Sequence, residues 1–234
     1  MSEWAMKRFW DAATVAPGED GFAVHLDGRP VKTPAKRALV LPTEVMARKV
    51  AEEWDAQEKT VDPTKMPWTR SANAALDKLS TQRLEVADHL AGYAETDLLC
   101  YRAEGPQELV ERQTHAWDPM LDWAATTYGA RLSVTSGVMP VTQDKAALER
   151  LAATMRGMSG FQLTGFHDIV ALSGSFILAL AATETFKTPE EVWHLSRIDE
   201  TWQIEQWGED EEAAEEAKLK KTAFFHAIEF FKAA

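Results

Sequence analysis

The chain has 234 residues, of which 45% are hydrophobic and 26% charged, a balance typical of a folded globular protein. Its formal net charge of −12 argues against nucleic acid as the main partner, because phosphate binding needs a basic face. A single cysteine excludes an internal disulfide and suits a reducing compartment. The N-terminus lacks the features of a signal or transit peptide, and the longest apolar run, residues 169–182, is too short to span a membrane. We therefore expect a cytoplasmic protein with no membrane insertion. We also expect it to be monomeric.

The first forty residues carry the signals of a small sheet. Residues 22–26 have strand propensity, and Asp27-Gly28 directly after them is a strong hairpin signal. Residues 30–32 form a candidate return strand, and residues 37–41 a further strand. This part of the chain is predicted to be β-rich.

At Thr43 the periodicity becomes helical, with Met46, Val50 and Trp54 spaced four residues apart. Thr43 is the expected N-cap of a helix that runs to about residue 57. We predict that Trp54 is structural and packs this helix on the sheet. The prolines within residues 61–67 indicate an extended connector, so we divide the chain into domains 1–66 and 67–234.

Beyond residue 67 the pattern is mostly helical. Pro106 and Gly129 suit the start and the end of one helix. Residues 161–183 are apolar on most faces, which predicts a central buried helix. Thr188-Pro189 with Glu191 is a capping box that begins another helix, expected to end near residue 207. A final helix is predicted over residues 209–231.

The search for catalytic motifs is negative. The sequence contains neither G-x-x-x-x-G-K-[ST] nor G-x-G-x-x-G, and it has no G-x-S-x-G nucleophile motif. Cys100 lies between Leu99 and Tyr101, which favours a small buried hydrophobe over a nucleophile. Glu191 and His194 form one E-x-x-H pair, whereas a di-iron bundle needs two such pairs and two further glutamates. We predict no enzymatic activity, no catalytic residue, no cofactor and no metal.

Two compositional features bear on binding. Residues 184–216 contain twelve acidic and two basic side chains, which fits either a solvated helix face or a surface that attracts a basic partner. Nine tryptophans are present, and tryptophan serves both as a core residue and as an interface anchor. Both interpretations of each feature stay open at this point.

A series of short segments, in this order, resembles the assembly chaperone family that acts on the alpha subunit of the F-type ATP synthase catalytic sector in mitochondria and alphaproteobacteria. The segments span residues 8–210: 8–10, 21–34, 41–43, 53–57, 66–73, 96–102, 117–119, 174–181, 199–203 and 207–208. Within them, Trp68 and Ser71 depart from the aliphatic residues expected in this family. The final helix lies outside the resemblance.

The resemblance implies an α+β protein with a small N-terminal α+β domain followed by a mostly α-helical orthogonal bundle. It also implies a non-catalytic function, in which the protein binds the unassembled alpha subunit and prevents its aggregation until it pairs with beta. With no transit peptide recognised, we expect this family member in a bacterial cytoplasm. A general adaptor or holdase with a broad clientele is the alternative, followed by a small metalloenzyme or hydrolase.

The expected partner-binding residues lie on the helix predicted over residues 189–206. Spacing places Val192, Leu195, Ile198 and Trp202 in a core stripe and places Trp193, Glu200 and Trp207 on another face. The competing interpretation is a helix buried on both sides, with an internal partner for Glu200. Because the resemblance includes part of this segment, we predict the following partner-binding residues: Trp193, Asp199, Glu200, Gln203 and Trp207. The residues predicted to be structural are Trp54, Asp97, Trp117 and Asp118.

Overall fold

The structure, a computed structural model, describes residues 6–234 apart from the side chain of Ser80. The chain forms two compact units. The first contains the residues up to Arg83 together with residues 159–165 and 229–234, and the second contains residues 84–158 and 166–228. The helix that begins at Pro67 therefore belongs to the first unit. Our division of the chain between residues 66 and 67 stays a prediction.

A small antiparallel sheet forms the N-terminal part of the first unit. Its strands are β1 (Ala13–Gly18), β2 (Gly21–Leu26), β3 (Arg29–Pro30) and β4 (Val40–Leu41). The central strand β2 pairs with β1 on one edge and with β3 and β4 on the other. The turn between β2 and β3 is formed by Asp27 and Gly28, whose φ angles are 48° and 80°. The Asp-Gly pair suits this turn because both of its central residues need a positive φ.

Two details of the sheet differ from the sequence prediction. Strand β1 was not predicted, because Pro17 and Gly18 weaken its strand signal. Strand β4 is shorter than the predicted residues 37–41, and Ala38 instead forms an isolated bridge with Lys32.

Helix α1 (Glu44–Asp55) covers this sheet. As predicted, Thr43 is its N-cap, and the hydroxyl oxygen accepts a hydrogen bond from the Met46 N–H at 3.3 Å. The helix buries one face in a core that includes Val24 and Leu41. Each apolar side chain of this size stabilises the fold by about 1.5–3 kcal/mol when it leaves water.

Most of the remaining chain is helical, which confirms the predicted α+β fold class. The helices are α2 (Pro67–Asp77), α3 (Leu79–Glu95), α4 (Gln107–Tyr128), α5 (Lys145–Ala153), α6 (Gly160–Ser173), α7 (Phe176–Thr183), α8 (Pro189–Leu195), α9 (Ile198–Trp207) and α10 (Glu211–Ala233). Short parallel strands β5 (Tyr101–Arg102) and β6 (Thr135–Ser136) pair in the second unit. Gly129 ends α4 in a left-handed conformation, as predicted.

The single helix that we predicted over residues 161–183 is wrong, because α6 and α7 are separate. Gly174 interrupts the segment with a φ of 70°. Ser175 then caps α7, and its hydroxyl accepts from the Leu178 N–H at 3.0 Å. Every residue of α7 from Phe176 to Ala182 is buried, so the first amides of this helix start away from water and need partners inside the protein.

The buried carboxylate of Asp97 supplies such a partner. It accepts hydrogen bonds from the N–H of Ile177 at 3.1 Å and from the N–H of Leu99 at 3.0 Å. Burial raises the pKa of Asp97 to about 6, because desolvation outweighs the hydrogen bonds that favour the charged form. One side chain thus caps α7 and the 3₁₀ turn Leu98–Cys100 together.

Trp117 and Asp118 lie beside this turn. Trp117 is fully buried, and its indole N–H donates to the Leu195 carbonyl at 2.8 Å, which fixes the end of α8. Asp118 accepts from the buried Arg102 guanidinium at 2.8 Å, and Arg102 also donates to the Leu99 carbonyl. On these contacts we propose structural roles for Asp97, Trp117 and Asp118.

Trp54→Ala tests the structural role of Trp54. The side chain is 9% exposed and packs edge-on against Trp10, with 5.3 Å between ring centroids. Its loss leaves a core cavity and should lower the free energy of unfolding by about 3–5 kcal/mol. In the structure of residues 6–234 the indole N–H has no hydrogen-bond partner. Trp54→Phe, the control, loses no hydrogen bond and should therefore lower the free energy of unfolding by only about 1–2 kcal/mol. Urea unfolding followed by circular dichroism measures both, and a wild-type midpoint for the alanine variant would contradict the assignment.

Asp97→Asn tests the buried carboxylate through pH. Because the pKa of Asp97 is raised from 3.8 to about 6 in the folded protein, its contribution to stability is greatest below pH 4 and is lost as the pH rises through 6. The free energy of unfolding of the wild type minus that of Asp97→Asn should therefore be larger at pH 4 than at pH 7, by roughly 2 kcal/mol. Urea unfolding at the two pH values gives this difference. An equal or opposite difference would contradict the elevated pKa.

Candidate functional site

A groove lies between α9 and the start of α10. The two helices are joined at Gly208, whose φ of 88° suits a residue without a Cβ. Asp210 accepts a hydrogen bond from the Ala213 N–H at 2.8 Å and so satisfies one of the first amides of α10. The turn therefore brings one face of α9 against the first turns of α10.

The groove has a volume of about 340 Å³. Its lining residues are Arg197, Glu200, Gln203, Ile204, Trp207, Gly208, Glu209, Asp210, Ala213, Ala214 and Ala217. Trp207 is 78% exposed and Ile204 is 45% exposed, so two large apolar side chains of one helix face water next to each other. The small alanines opposite them leave room for a side chain from another molecule.

Acidic groups surround this apolar centre. Glu200, Glu209 and Asp210 line the groove, and Arg197 is the basic residue among its described lining residues. The Arg197 guanidinium binds the Glu200 carboxylate at 2.7 Å. The groove therefore combines exposed apolar surface with a negative rim, which suits a partner that is apolar and basic.

The helix predicted over residues 189–206 is wrong in one respect, since it is broken between α8 and α9. Ser196 and Arg197 separate the two helices, so the seven-residue spacing does not place Trp193 on the same face as Glu200 and Trp207. Trp193 is 6% exposed and packs against Phe224, with 5.6 Å between ring centroids.

The structure brings three of the five predicted partner-binding residues together. Glu200, Gln203 and Trp207 line the groove. Trp193 lies in the core, and Asp199 is turned toward α4, where its carboxylate accepts from the Gln113 amide at 2.6 Å. The role of all five in partner binding stays a prediction.

Three comparisons place the chain among known proteins. The family model of the ATP12 chaperone protein matches residues 7–125, just over half of the chain. Protein atp12, mitochondrial, of Schizosaccharomyces pombe is 26% identical over 223 residues, which cover 90% of this chain and 77% of that protein. The crystal structure of Atp12 from Paracoccus denitrificans is 45% identical with a TM-score of 0.93, and it covers 97% of this chain and 98% of that one. A point mutant of P. denitrificans Atp12p is 45% identical with a TM-score of 0.94 and covers 99% of both chains.

This chain belongs to the ATP12 chaperone family. The resemblance found in the sequence is thereby confirmed. Within residues 6–234, no helix of this ATP12 protein has the length and apolar character needed to cross a membrane.

Eight lining residues of the groove were not among the predicted partner-binding residues. They are Arg197, Ile204, Gly208, Glu209, Asp210 and the three alanines 213, 214 and 217. The alanines recur at one-turn spacing within an otherwise acidic segment, and this pattern indicates a face that another group approaches closely. This alanine pattern did not enter the prediction of the binding site, because the final helix lies outside the segments that carry the resemblance.

The other two candidate groups from the sequence, Glu191 and Cys100, lie in structural settings. Glu191 belongs to the capping box of α8, where hydrogen bonds from Thr188 and Lys187 lower its pKa to about 2. Cys100 is buried, and desolvation raises the pKa of its thiol to about 12, which disfavours the nucleophilic thiolate. Among the described residues, no cluster of three or more His, Cys, Asp or Glu side chains is placed to hold a metal ion.

A larger depression of about 470 Å³ lies between α4 and the α8–α9 segment. Its lining residues are His115, Ala116, Pro119, Met120, Lys187, Glu191, His194, Leu195 and Ile198. The large apolar residues Met120, Leu195 and Ile198 are at least half-buried here, unlike Trp207. We therefore take the α9–α10 groove as the candidate site.

Two alanine variants test the different settings of Trp193 and Trp207. Trp193→Ala removes a core side chain and should lower the free energy of unfolding by about 3–5 kcal/mol. Trp207→Ala removes an exposed side chain and should change it by no more than about 0.5 kcal/mol. Urea unfolding compares the two variants directly. Equal destabilisation would contradict the placement of one tryptophan in the core and the other at the surface.

Proposed function

We propose that this ATP12 protein binds the unassembled alpha subunit of the F-type ATP synthase catalytic sector and prevents its aggregation until alpha pairs with beta. As a member of its family the protein is a chaperone of ATP synthase assembly. The alpha subunit as client, the absence of catalytic activity and the bacterial cytoplasmic location belong to our proposal.

The observation that supports a binding role is the exposure of Trp207 beside Ile204 in an acidic groove. A tryptophan that is 78% exposed does not stabilise the chaperone's own core. When a partner covers such a side chain, its apolar area leaves water, and tryptophan is enriched among the residues that dominate binding energy. The groove is therefore suited to protein contact.

The proposed client is a subunit whose apolar surface needs to be covered before assembly. A subunit of an obligate oligomer exposes large apolar interfaces before assembly, and these interfaces promote aggregation. A chaperone that covers part of such a surface keeps the subunit soluble and leaves it competent to assemble. Transient binding of this kind requires a small, partly polar contact, and the dimensions and charge of the groove suit it.

A pull-down from the source cell with the wild-type protein as bait identifies the client. We expect recovery of the alpha subunit without assembled beta subunit. Recovery of many unrelated proteins in comparable amounts would instead favour a general holdase. Recovery of other proteins without alpha would contradict our proposal.

Glu200→Lys tests the groove. The Arg197–Glu200 ion pair is partly exposed and contributes at most about 1 kcal/mol, so the variant should melt close to the wild type. A lysine at this position reverses the charge of the rim and should weaken binding of the alpha subunit at least about tenfold. Light scattering of purified alpha subunit measures the loss of protection against aggregation.

The matched control is Glu215→Lys. Glu215 is exposed on α10 and does not line the groove, and its substitution makes the same change in charge. It should protect the alpha subunit as the wild type does. If the two variants behave alike, or if Glu200→Lys protects fully, Glu200 does not belong to the binding site.

A further inference from the structure

Arg197 binds one carboxylate of the groove's acidic rim from within the same molecule. Its guanidinium lies 2.7 Å from the Glu200 carboxylate, and the guanidinium carbon is 5.6 Å from the centroid of the buried Trp193 ring. The charged end of Arg197 thus lies over the Trp193 ring and binds the Glu200 carboxylate at the same time. In the free protein, the half-buried Glu200 already has a cationic partner.

The charges around the groove favour a cation in this position. Three carboxylates, those of Glu200, Glu209 and Asp210, line it together with Arg197. Glu216 on α10 lies close enough for Arg197 to lower its pKa, after the larger effect of Lys220. An incoming anion would meet an excess of negative charge, whereas a second cation would find carboxylates beyond the one that Arg197 binds.

The contact between Arg197 and Glu200 is easily displaced. The side chains are 24% and 43% exposed, and water competes for both charged groups. An ion pair in this setting shifts an equilibrium by no more than about fivefold. A partner that supplies its own cation can therefore replace Arg197 at Glu200 at a small cost in affinity.

We propose that Arg197 occupies, in the free chaperone, the place of a Lys or Arg side chain of the client. The client segment then presents that cation beside a large apolar side chain. The cation binds Glu200, and the apolar side chain packs between Trp207, Ile204 and the alanines of α10. This inference rests on the proposed function, in which the groove binds the alpha subunit, and it names the chemistry that the groove selects.

Arg197→Met tests the displacement. Methionine places a flexible apolar side chain next to Trp193 and removes the charge, so the variant leaves Glu200 free for the client. Binding of purified alpha subunit should become about threefold tighter. Glu200→Gln should weaken binding, and Arg197→Met should have no effect in the Glu200→Gln background, because Arg197 acts through Glu200.

Arg112→Met is the matched control. Arg112, on α4, binds Glu205 of α9 through two hydrogen bonds of 2.8 Å and lies over Trp202 at 4.9 Å, but it does not line the groove. Its substitution makes the same change in net charge. It should leave the affinity for the alpha subunit unchanged. If Arg112→Met strengthens binding as much as Arg197→Met does, the effect comes from the change in net charge rather than from the groove, and the inference is overturned.

The outcomes separate this inference from the proposed function. If the wild type does not bind the alpha subunit, both fall. Two outcomes overturn only the inference, provided that the wild type binds the alpha subunit. In the first, Arg197→Met binds the alpha subunit with an affinity equal to or lower than that of the wild type. In the second, Arg197→Met changes the affinity equally in the wild-type and Glu200→Gln backgrounds.

Arg197→Gln replaces the methionine variant if the latter melts more than about 5 °C lower than the wild type. Sedimentation of the variants alone should show no increase in self-association, and tighter self-association in place of tighter alpha binding would assign the groove to a second copy of this chain.

Discussion

The carboxylate of Asp97 joins the 3₁₀ turn Leu98–Cys100 to the start of α7, although its two N–H partners, Leu99 and Ile177, lie far apart in the sequence. Helix α7 is buried along its length and contacts both α4 and α8. Its first amides can be satisfied only by groups inside the protein, since water does not reach them. From α4, Trp117 donates to the Leu195 carbonyl and so fixes where α8 ends and α9 begins. Asp97 is fully buried, and we propose that it helps to position the groove through the packing of α7 against α4 and α8.

If the groove binds a client as we propose, it shows how a stable chaperone can keep a binding surface exposed. An apolar surface of one tryptophan and one isoleucine is small enough to remain in water without driving aggregation. The carboxylates around it increase the solubility of the free protein and restrict which partners it accepts. Arg197 partly neutralises the rim in the absence of a client. On our proposal the affinity is thereby kept moderate, which suits a chaperone that must release its client.

Apart from the fold class and the family, the features that the sequence predicts correctly are local. The Asp27-Gly28 turn and the Thr43 cap are determined by neighbouring residues, and both lie where they were expected. The break at Gly174 was missed because the long apolar run around it favoured one continuous helix, although Gly174 adopts a positive φ and Ser175 caps the next helix. Trp193 and Trp207 show the same limit at the candidate site. Residue spacing treats the two tryptophans alike, whereas the short break between α8 and α9 buries one and exposes the other.

The central claim is that the groove between α9 and α10 binds unassembled alpha subunit. Hydrogen exchange of the chaperone, measured with and without purified alpha subunit, tests it most directly, because amides at a binding surface exchange more slowly when the surface is covered. Our account predicts that protection concentrates in residues 197–217. Protection confined to other segments, with unchanged exchange in residues 197–217, would contradict it.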